Sequence, residues 1–344
     1  MPKQVVTFGE IMLRLSTPGF SRFVQSKTFD INYGGGEANV AAALSNYGLE
    51  SYFVSKIPTH EIGQSAVNQL RNFGVNTQHI IRGGERLGIY FLETGASQRP
   101  SKVIYDRSDS AISLMETNEI DWDKIFADKV WFHWTGITPA LGKNAQENTL
   151  NACKAAKRAG ATVSCDLNFR SKLWSTEEAQ LVMNPLMEYV DVCIANEEDA
   201  DKSLGLKAGK TDVESAHIDE DGYYALARKL KSSYDFETVA ITLRESHSAS
   251  RNGWSAILHD DRDCKSPVRS TKYEIQLVDR VGGGDSFASG LIYGLLEKEN
   301  TKDALEFAVA ASCMKQTIPG DFNLVSANEV EKLLESGGSG RVER

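Results

Sequence analysis

Short apolar runs and stretches of helical period alternate along most of this chain. Residues 5–8 form an apolar run ending at Gly9-Glu10, which predicts a central strand leaving its sheet at a tight turn. Met12–Ser16 and residues 29–33 partly alternate apolar and polar positions, as strands with one exposed face do. Gly34-Gly35-Gly36-Glu37-Ala38-Asn39 then breaks the strand and opens a helix: Val40, Ala43, Leu44 and Tyr47 share a face, and Gly48 is a natural stop. Residues 52–57 predict a strand and 62–73 a helix closed by Gly74.

Between residues 77 and 107 the pattern changes. Three strand-like runs, 78–81, 88–92 and 102–105, follow one another with no helix between them, which predicts a small separate sheet. With the two strands before Gly34 it would form a lid over one end of the main sheet, able to close on a ligand and exclude water. Alternation then resumes, with strands at 130–134, 162–166, 192–195 and 239–243 and amphipathic helices at 145–158, 177–189 and 223–230. This order predicts a parallel sheet covered by helices on both faces. Ser175 with Glu178 and Ser326 with Glu329 have capping-box spacing. Strand-rich sequence returns at 254–258 and 273–277, a helix at 302–315, and a last helix ends near Glu335. Residues 337–344, rich in Gly, Ser and charge, are expected to be disordered. The expected organisation is one α/β domain over residues 1–336, with lid strands from about 12–33 and 78–107.

Composition narrows the function classes. With 344 residues, 41% hydrophobic and 25% charged, the chain can bury a substantial core as an ordinary globular protein. A net charge of -9 argues against nonspecific binding to nucleic acid or an anionic membrane, so any phosphate site must be local. No apolar run reaches the length of a membrane span, and the first residues lack a signal-peptide layout; a cytoplasmic protein is expected. Cys153, Cys165, Cys193, Cys264 and Cys313 are an odd number without a Cys-x-x-Cys pair, which predicts buried reduced thiols.

The candidate chemistry concentrates in Asp279 to Gly290. Gly282, Gly283 and Gly284 precede Asp285 and a helical pattern of Phe287, Leu291, Leu295 and Leu296, so the glycines should turn backbone N–H groups outward at a helix N-terminus, as an anion cradle. A carboxylate beside a phosphate site gains little unless it acts on something, which makes Asp285 a candidate general base. The competing reading, a glycine-rich turn with Asp285 merely capping the helix, is open at this level. Gly205 to Thr211 imitates a P-loop, but only three residues separate its glycines; it reads as a surface loop. His133, within an apolar strand, reads as a satisfied core residue, and the six histidines show no metal-ligand spacing. The first glycine cluster lacks the Gly-x-Gly-x-x-Gly layout of a dinucleotide fingerprint, which disfavours hydride transfer.

Together these residues resemble a known family over nearly the whole chain. Gly34 to Asn39 with Val40 and Ala41 resembles the N-terminal signature of the ribokinase or PfkB sugar kinases, and Asp279 to Gly290 resembles their C-terminal one. The resemblance implies a ribokinase-like three-layer α/β/α fold with a mostly parallel central sheet and a small β-sheet lid, and it implies ATP and Mg²⁺ as cofactors. Carried onto this sequence, Gly34, Gly35, Gly36 and Asn39 lie near the sugar, Gly282 to Gly284 supply the anion hole, and Asp285 is the base. Arg99-Pro100-Ser101 with Tyr105-Asp106-Arg107, Asp166-Leu167-Asn168-Phe169-Arg170 and Thr242-Leu243-Arg244-Glu245 resemble the branch acting on 2-keto-3-deoxygluconate.

Physics independently favours an acidic sugar, since a carboxylate is best held by guanidinium forks, and Arg107 and Arg170 stand at predicted strand ends. A surface ion pair is the alternative for each. Tyr90 and Tyr105 are expected to pack on the sugar or simply within the lid, and Asp321, after Pro319-Gly320, to touch it from the far wall. For the nucleotide the resemblance points to Asn168, Asn196, Thr242, Leu243 and Arg244. Asn196-Glu197-Glu198-Asp199 resembles a metal-associated Asn-x-x-Glu motif with Asp199 in its fourth place, so Mg²⁺ would rely on Asp199 or Glu198. Gly283 and Ser286 stand where alanines are common in the family, and Arg280 replaces a frequent threonine. Two alternatives remain beside a sugar-acid kinase: a neutral-sugar kinase such as a fructokinase or ribokinase, and a non-catalytic sugar sensor. A homo-oligomer could form through an exposed lid edge.

Overall fold

A computed structural model of the chain describes residues 2–207, 220–263 and 266–337. The chain opens with β1 (Gln4–Phe8), β2 (Met12–Ser16), β3 (Asp30–Gly34), α1 (Gly36–Asn46), β4 (Glu50–Ile57), α2 (Glu61–Asn72), β5 (Ile80–Arg82), β6 (Gly88–Glu93) and β7 (Lys102–Asp106). Its middle holds α3 (Trp122–Phe126), β8 (Trp131–Thr135), α4 (Lys143–Arg158), β9 (Thr162–Asp166), α5 (Thr176–Met187), β10 (Val192–Ala195), α6 (Glu197–Leu204) and α7 (Glu220–Tyr234). The last third is β11 (Thr238–Ser248), β12 (Arg251–Asp260), β13 (Val268–Arg269), β14 (Tyr273–Gln276), α8 (Gly283–Glu297), α9 (Thr301–Lys315) and α10 (Ala327–Ser336).

The large sheet runs β13-β12-β11-β10-β9-β8-β1-β4-β5, with β14 also paired to β12. It is parallel from β11 to β5 and antiparallel only around β12. Strand alternation sends successive side chains to opposite faces and so builds two cores. Val6, Phe132, Val163, Cys193 and Val239 pack beneath α3 to α7. Val5, Trp131, Val192, Ile194 and Ala240 pack beneath α1, α8, α9 and α10. The outcome is the expected three-layer arrangement. α8 lies unusually close to α9, because a Cβ at Gly290 would come within 2.8 Å of the Ala308 Cα and one at Gly294 within 2.6 Å of the Ala304 Cα. Glycine is required at both places, and their spacing fixes the depth at which α8 enters the site.

Both predicted capping boxes are present, Ser175 with Glu178 and Ser326 with Glu329, and Gly48 and Gly74 follow α1 and α2 in left-handed conformations. The lid is a separate sheet of order β3-β2-β6-β7. One predicted lid strand does not belong to it: β5 pairs in parallel with β4 at the edge of the main sheet. Its three residues are too short to reveal which sheet they join. The tip of the β6–β7 hairpin meets the β11–β12 turn, where the Ala249 N–H donates to the Ser97 carbonyl at 2.8 Å and the Ser97 N–H to Ser250 Oγ at 3.0 Å.

Among the described residues the cysteines are free thiols, with Cys153, Cys165 and Cys193 buried and Cys313 half-buried. His133 is buried, and burial pushes its pKa down to about 3. It is satisfied on one nitrogen only, Nδ1 lying 2.8 Å from Ser164 Oγ while Nε2 has no partner. Gly205 ends α6 in a left-handed conformation. The rest of the P-loop-like stretch from residue 208, the tail from residue 338, and Cys264 lie outside the described residues.

Candidate active site

The carboxyl ends of β9, β10 and β11, the N-terminus of α8 and the lid enclose one cavity of about 1250 Å³. Ligands of open α/β sheets bind at such strand ends. α8 begins at Gly283, two residues earlier than the hydrophobic pattern suggests, with Gly282 as N-cap at φ 79. A side chain at Gly282 would collide with the Asp321 carbonyl, so this left-handed turn requires glycine. The Gly283 N–H turns back toward the Arg280 carbonyl at 3.3 Å, a correction to the expected trio of donors. Gly282 and Gly284 keep N–H groups without a protein acceptor among the described residues, at the positive end of a 15-residue helix.

Asp285 caps nothing. The N-cap is Gly282 and no side chain caps α8. Its carboxylate instead accepts a 2.6 Å hydrogen bond from Asn39 Nδ2, while Asn39 Oδ1 accepts the Gly35 N–H at 3.2 Å. Burial pushes the Asp285 pKa up to about 6, opposed by the Asn39 hydrogen bond and by Arg170. Glu37, two residues before Asn39 in the first turn of α1, ties that turn to the end of β8. Glu37 Oε1 accepts from the Thr135 N–H and hydroxyl, both at 2.9 Å, and from the Thr138 hydroxyl at 2.6 Å. Burial raises the Glu37 pKa to about 7 despite these donors. The first glycine cluster serves close packing: a Cβ at Gly34 would strike the Asp321 carboxylate, and one at Gly35 the Glu10 carbonyl.

A buried charge network backs the glycine turn. Arg14, on lid strand β2, donates to Asp279 Oδ2 at 2.5 Å and to Asp321 Oδ2 at 2.7 Å. Burial opposes its charge, but the two carboxylates raise its pKa overall. Asp279 Oδ1 accepts the Val281 N–H at 3.0 Å, and Lys315 Nζ, fully buried on α9, donates to the carbonyls of Asp279 and Val281. Asp321, expected to touch substrate, has its oxygens taken by Arg14 and by the Tyr90 hydroxyl, so Asp321 and Tyr90 line the cavity as a mutually committed pair. Tyr105 is more open, with the Arg107 guanidinium and Lys172 Nζ at 5.4 and 5.6 Å from its ring centre.

The two arginines expected to hold a carboxylate differ. Arg107 lines the cavity, but its Nε, at 2.9 Å, and Nη2 both donate to Glu10 Oε2. Its charge is therefore already countered by a buried carboxylate. Arg170 is exposed at the cavity wall, donates only to the Phe169 carbonyl at 3.0 Å, and has no ion pair among the described residues.

Beyond Asp285 the cavity is acidic. Asp166, at the end of β9, has its pKa pushed well above the usual carboxylate range by burial, then by Asp199 and Asp285. Asn168 follows in a left-handed conformation at φ 40. Asn196 caps α6 by accepting the Asp199 N–H at 2.8 Å, and Asp199 Oδ1 accepts the Phe169 N–H at 3.0 Å. Glu198 is exposed on the rim. Asp166 and Glu198 line this wall with Asp199 beside them, an oxygen-donor set suited to Mg²⁺, which binds through one or two carboxylates and the substrate's phosphates. Thr242 and Arg244 line the same wall, whereas Leu243 points into the core at 1% exposure and does not.

Sequence reasoning missed Arg14, Glu10, Glu37, Asp166 and Lys315 as parts of this site. The available signal was a charge inside an apolar stretch, such as Arg14 between Leu13 and Leu15; Lys and Arg are rarely buried unless paired.

The pfkB family carbohydrate kinase profile matches residues 2–325. A solved structure of the 2-dehydro-3-deoxygluconokinase of Thermotoga maritima is similar with 53% identity and a TM-score of 0.92, over 98% of this chain and 99% of that one. The 2-dehydro-3-deoxygalactonokinase of Haloferax volcanii is 34% identical over 99% of both chains. The 2-dehydro-3-deoxygluconokinase of Bacillus subtilis is 27% identical over 96% of this chain and 94% of its own.

Proposed function

This chain belongs to the pfkB family of carbohydrate kinases, and we propose accordingly that it transfers the γ-phosphate of ATP to the primary hydroxyl of 2-keto-3-deoxygluconate, giving 2-keto-3-deoxy-6-phosphogluconate. One observation carries the reading: the Asn39–Asp285 hydrogen bond joins the two glycine motifs across 246 residues and sets a carboxylate beside uncommitted helix N–H groups.

In this mechanism Arg170 binds the sugar carboxylate, assisted by Arg107 where Glu10 leaves it free, and Tyr105 packs on the sugar. The primary hydroxyl approaches Asp285. With a pKa near 6 that carboxylate is ionised at neutral pH yet basic enough to take the hydroxyl proton. The Gly282 and Gly284 N–H groups offset charge on the transferred phosphate. Asn168, Asn196, Thr242 and Arg244 face the nucleotide. Asp166 and Glu198, with Asp199 behind them, would hold a Mg²⁺ ion, which would supply further neutralisation of the phosphates.

The test is a coupled kinase assay over 2-keto-3-deoxygluconate, its galactonate epimer, fructose and ribose. A sugar acid should be phosphorylated well ahead of both neutral sugars. Preference for fructose or ribose refutes the acidic-sugar assignment, and ATP turnover independent of any sugar refutes the kinase assignment. The galactonate epimer belongs in the panel because the Haloferax volcanii relative is named for it. The lid edge β3, where Ile31 is 65% exposed, supports pairing of two copies, which sedimentation of wild type against Ile31→Lys would check.

A further inference from the structure

Besides Arg170, two guanidinium groups on the cavity wall have no carboxylate partner among the described residues. Arg280 lies two residues before the N-cap of α8, and Arg244 lies on β11; both line the cavity. Neither pairs with a carboxylate among the described residues, although the chain carries 47 acidic against 38 basic side chains. The acidic groups beside them in sequence are engaged elsewhere. Glu245 binds Lys272 at 2.5 Å, Asp279 binds Arg14 at 2.5 Å, and Asp285 holds Asn39 at 2.6 Å. Arg280 is half-buried, and among the described residues its fork makes a single hydrogen bond, from Nη2 to the Ala249 carbonyl at 3.3 Å.

Burial, and then the like charge of Arg244, lowers the Arg280 pKa, so the two cations oppose each other. Such an arrangement costs free energy unless an anion joins it. The N–H groups of Gly282 and Gly284 sit immediately beyond Arg280, so the anion that satisfies the pair also reaches the helix terminus. A polyphosphate matches both, since planar forks bind phosphate oxygens bidentately and helix N-termini bind phosphate.

We propose that Arg244 and Arg280 form a two-guanidinium clamp on the terminal phosphates of the nucleotide, with Arg280 steering the transferred phosphate toward the Gly282–Gly284 turn. The clamp rests on the kinase reading above, and its test separates the two. Trp254 lines the same cavity and pairs with Arg244 across the sheet, so its fluorescence can report ligand binding.

The experiment titrates AMP, ADP and ATP into the full chain as wild type, Arg280→Gln, Arg280→Lys, Arg244→Gln and the double glutamine variant. Each glutamine should weaken ATP and ADP about ten- to a hundredfold and leave AMP within about twofold, the size of one lost charge-assisted hydrogen bond. Arg280→Lys should recover part of the loss, and the two glutamine effects should be non-additive because both residues grip one ligand. Equal weakening of AMP and ATP would overturn the clamp, since Arg280 would then merely brace the β11–β12 turn. Unchanged ATP affinity would overturn it too. A wild type that binds none of the three nucleotides refutes the kinase reading itself, before any substitution is compared.

Discussion

Replacing Asn39 by Ala removes the hydrogen bond that steadies the charged form of Asp285, and the consequence should appear as a displaced pH profile. The bond is 2.6 Å long and runs to a carboxylate, a class contributing about 1.5–3 kcal/mol when removed. Asp285 is only half-buried by surface exposure and faces the cavity, so solvent returns part of that, and the lower end applies. At about 1.4 kcal/mol per unit, the Asp285 pKa should climb by roughly one, from about 6 to roughly 7. A general base acts ionised, so activity falls as pH drops through its pKa. At pH 6.5 the ionised fraction should fall from roughly three-quarters to roughly one-quarter, a loss of about threefold that vanishes above about pH 8.5. The assay is kcat/KM for the sugar acid from pH 5 to 9 at saturating ATP, in wild type and Asn39→Ala. Asn39→Asp, which sets a second carboxylate against the first, should move the acid limb further. An acid limb that stays in place while activity drops uniformly refutes the reasoning, because Asn39 would then orient Asp285 without tuning it.

Other substitutions probe separate parts of the site. Asp285→Asn should lower kcat by about 10²- to 10⁴-fold while calorimetry shows the ligand still bound; near-normal turnover would sink the general-base role. Arg107→Ala should destabilise the fold by about 3 kcal/mol in urea unfolding, because Glu10, 3% exposed, loses its counterion, and adding Glu10→Gln should restore most of the loss. If the double variant is no more stable than the single, the pair does not matter in this way. Lys315→Met strips the carbonyls of Asp279 and Val281 of a buried donor, each unmet group costing about 1–3 kcal/mol, so the catalytic turn should relax. Steady-state kinetics should show kcat down by at least about tenfold with KM for the sugar little changed; an unaltered kcat contradicts the assigned support.

Much of the fold was legible because its signals are local. Met12–Ser16, Thr162–Asp166 and Val192–Ala195 are strands at the predicted bounds, and both capping boxes form where a serine stands three residues before a glutamate. Legibility fails where local pattern is short or ambiguous. Three residues could not show that β5 belongs beside β4, and the five-residue α3 carries too little periodicity to be seen. Within the site, the glycines and Asp285 were visible as a turn with a carboxylate, but nothing local showed that Arg107 shares its fork with Glu10 or that Asp321 is held by Arg14.

Local sequence therefore suffices for the layered α/β order, for the glycine turn at the head of α8 and for the carboxylate of Asp285 beside that turn. Each depends on residues within a few positions of one another. Which charges remain available depends instead on long-range pairing. Arg14 finds Asp279 and Asp321 at separations of 265 and 307 residues, Glu10 claims Arg107 across 97, and Asn39 reaches Asp285 across 246. A buried charge settles on whatever opposite group the strand order brings within hydrogen-bonding distance, and no spacing along the chain encodes that meeting. That Arg170, Arg244 and Arg280 have no carboxylate partner among the described residues emerges only once their rivals' partners have been seen.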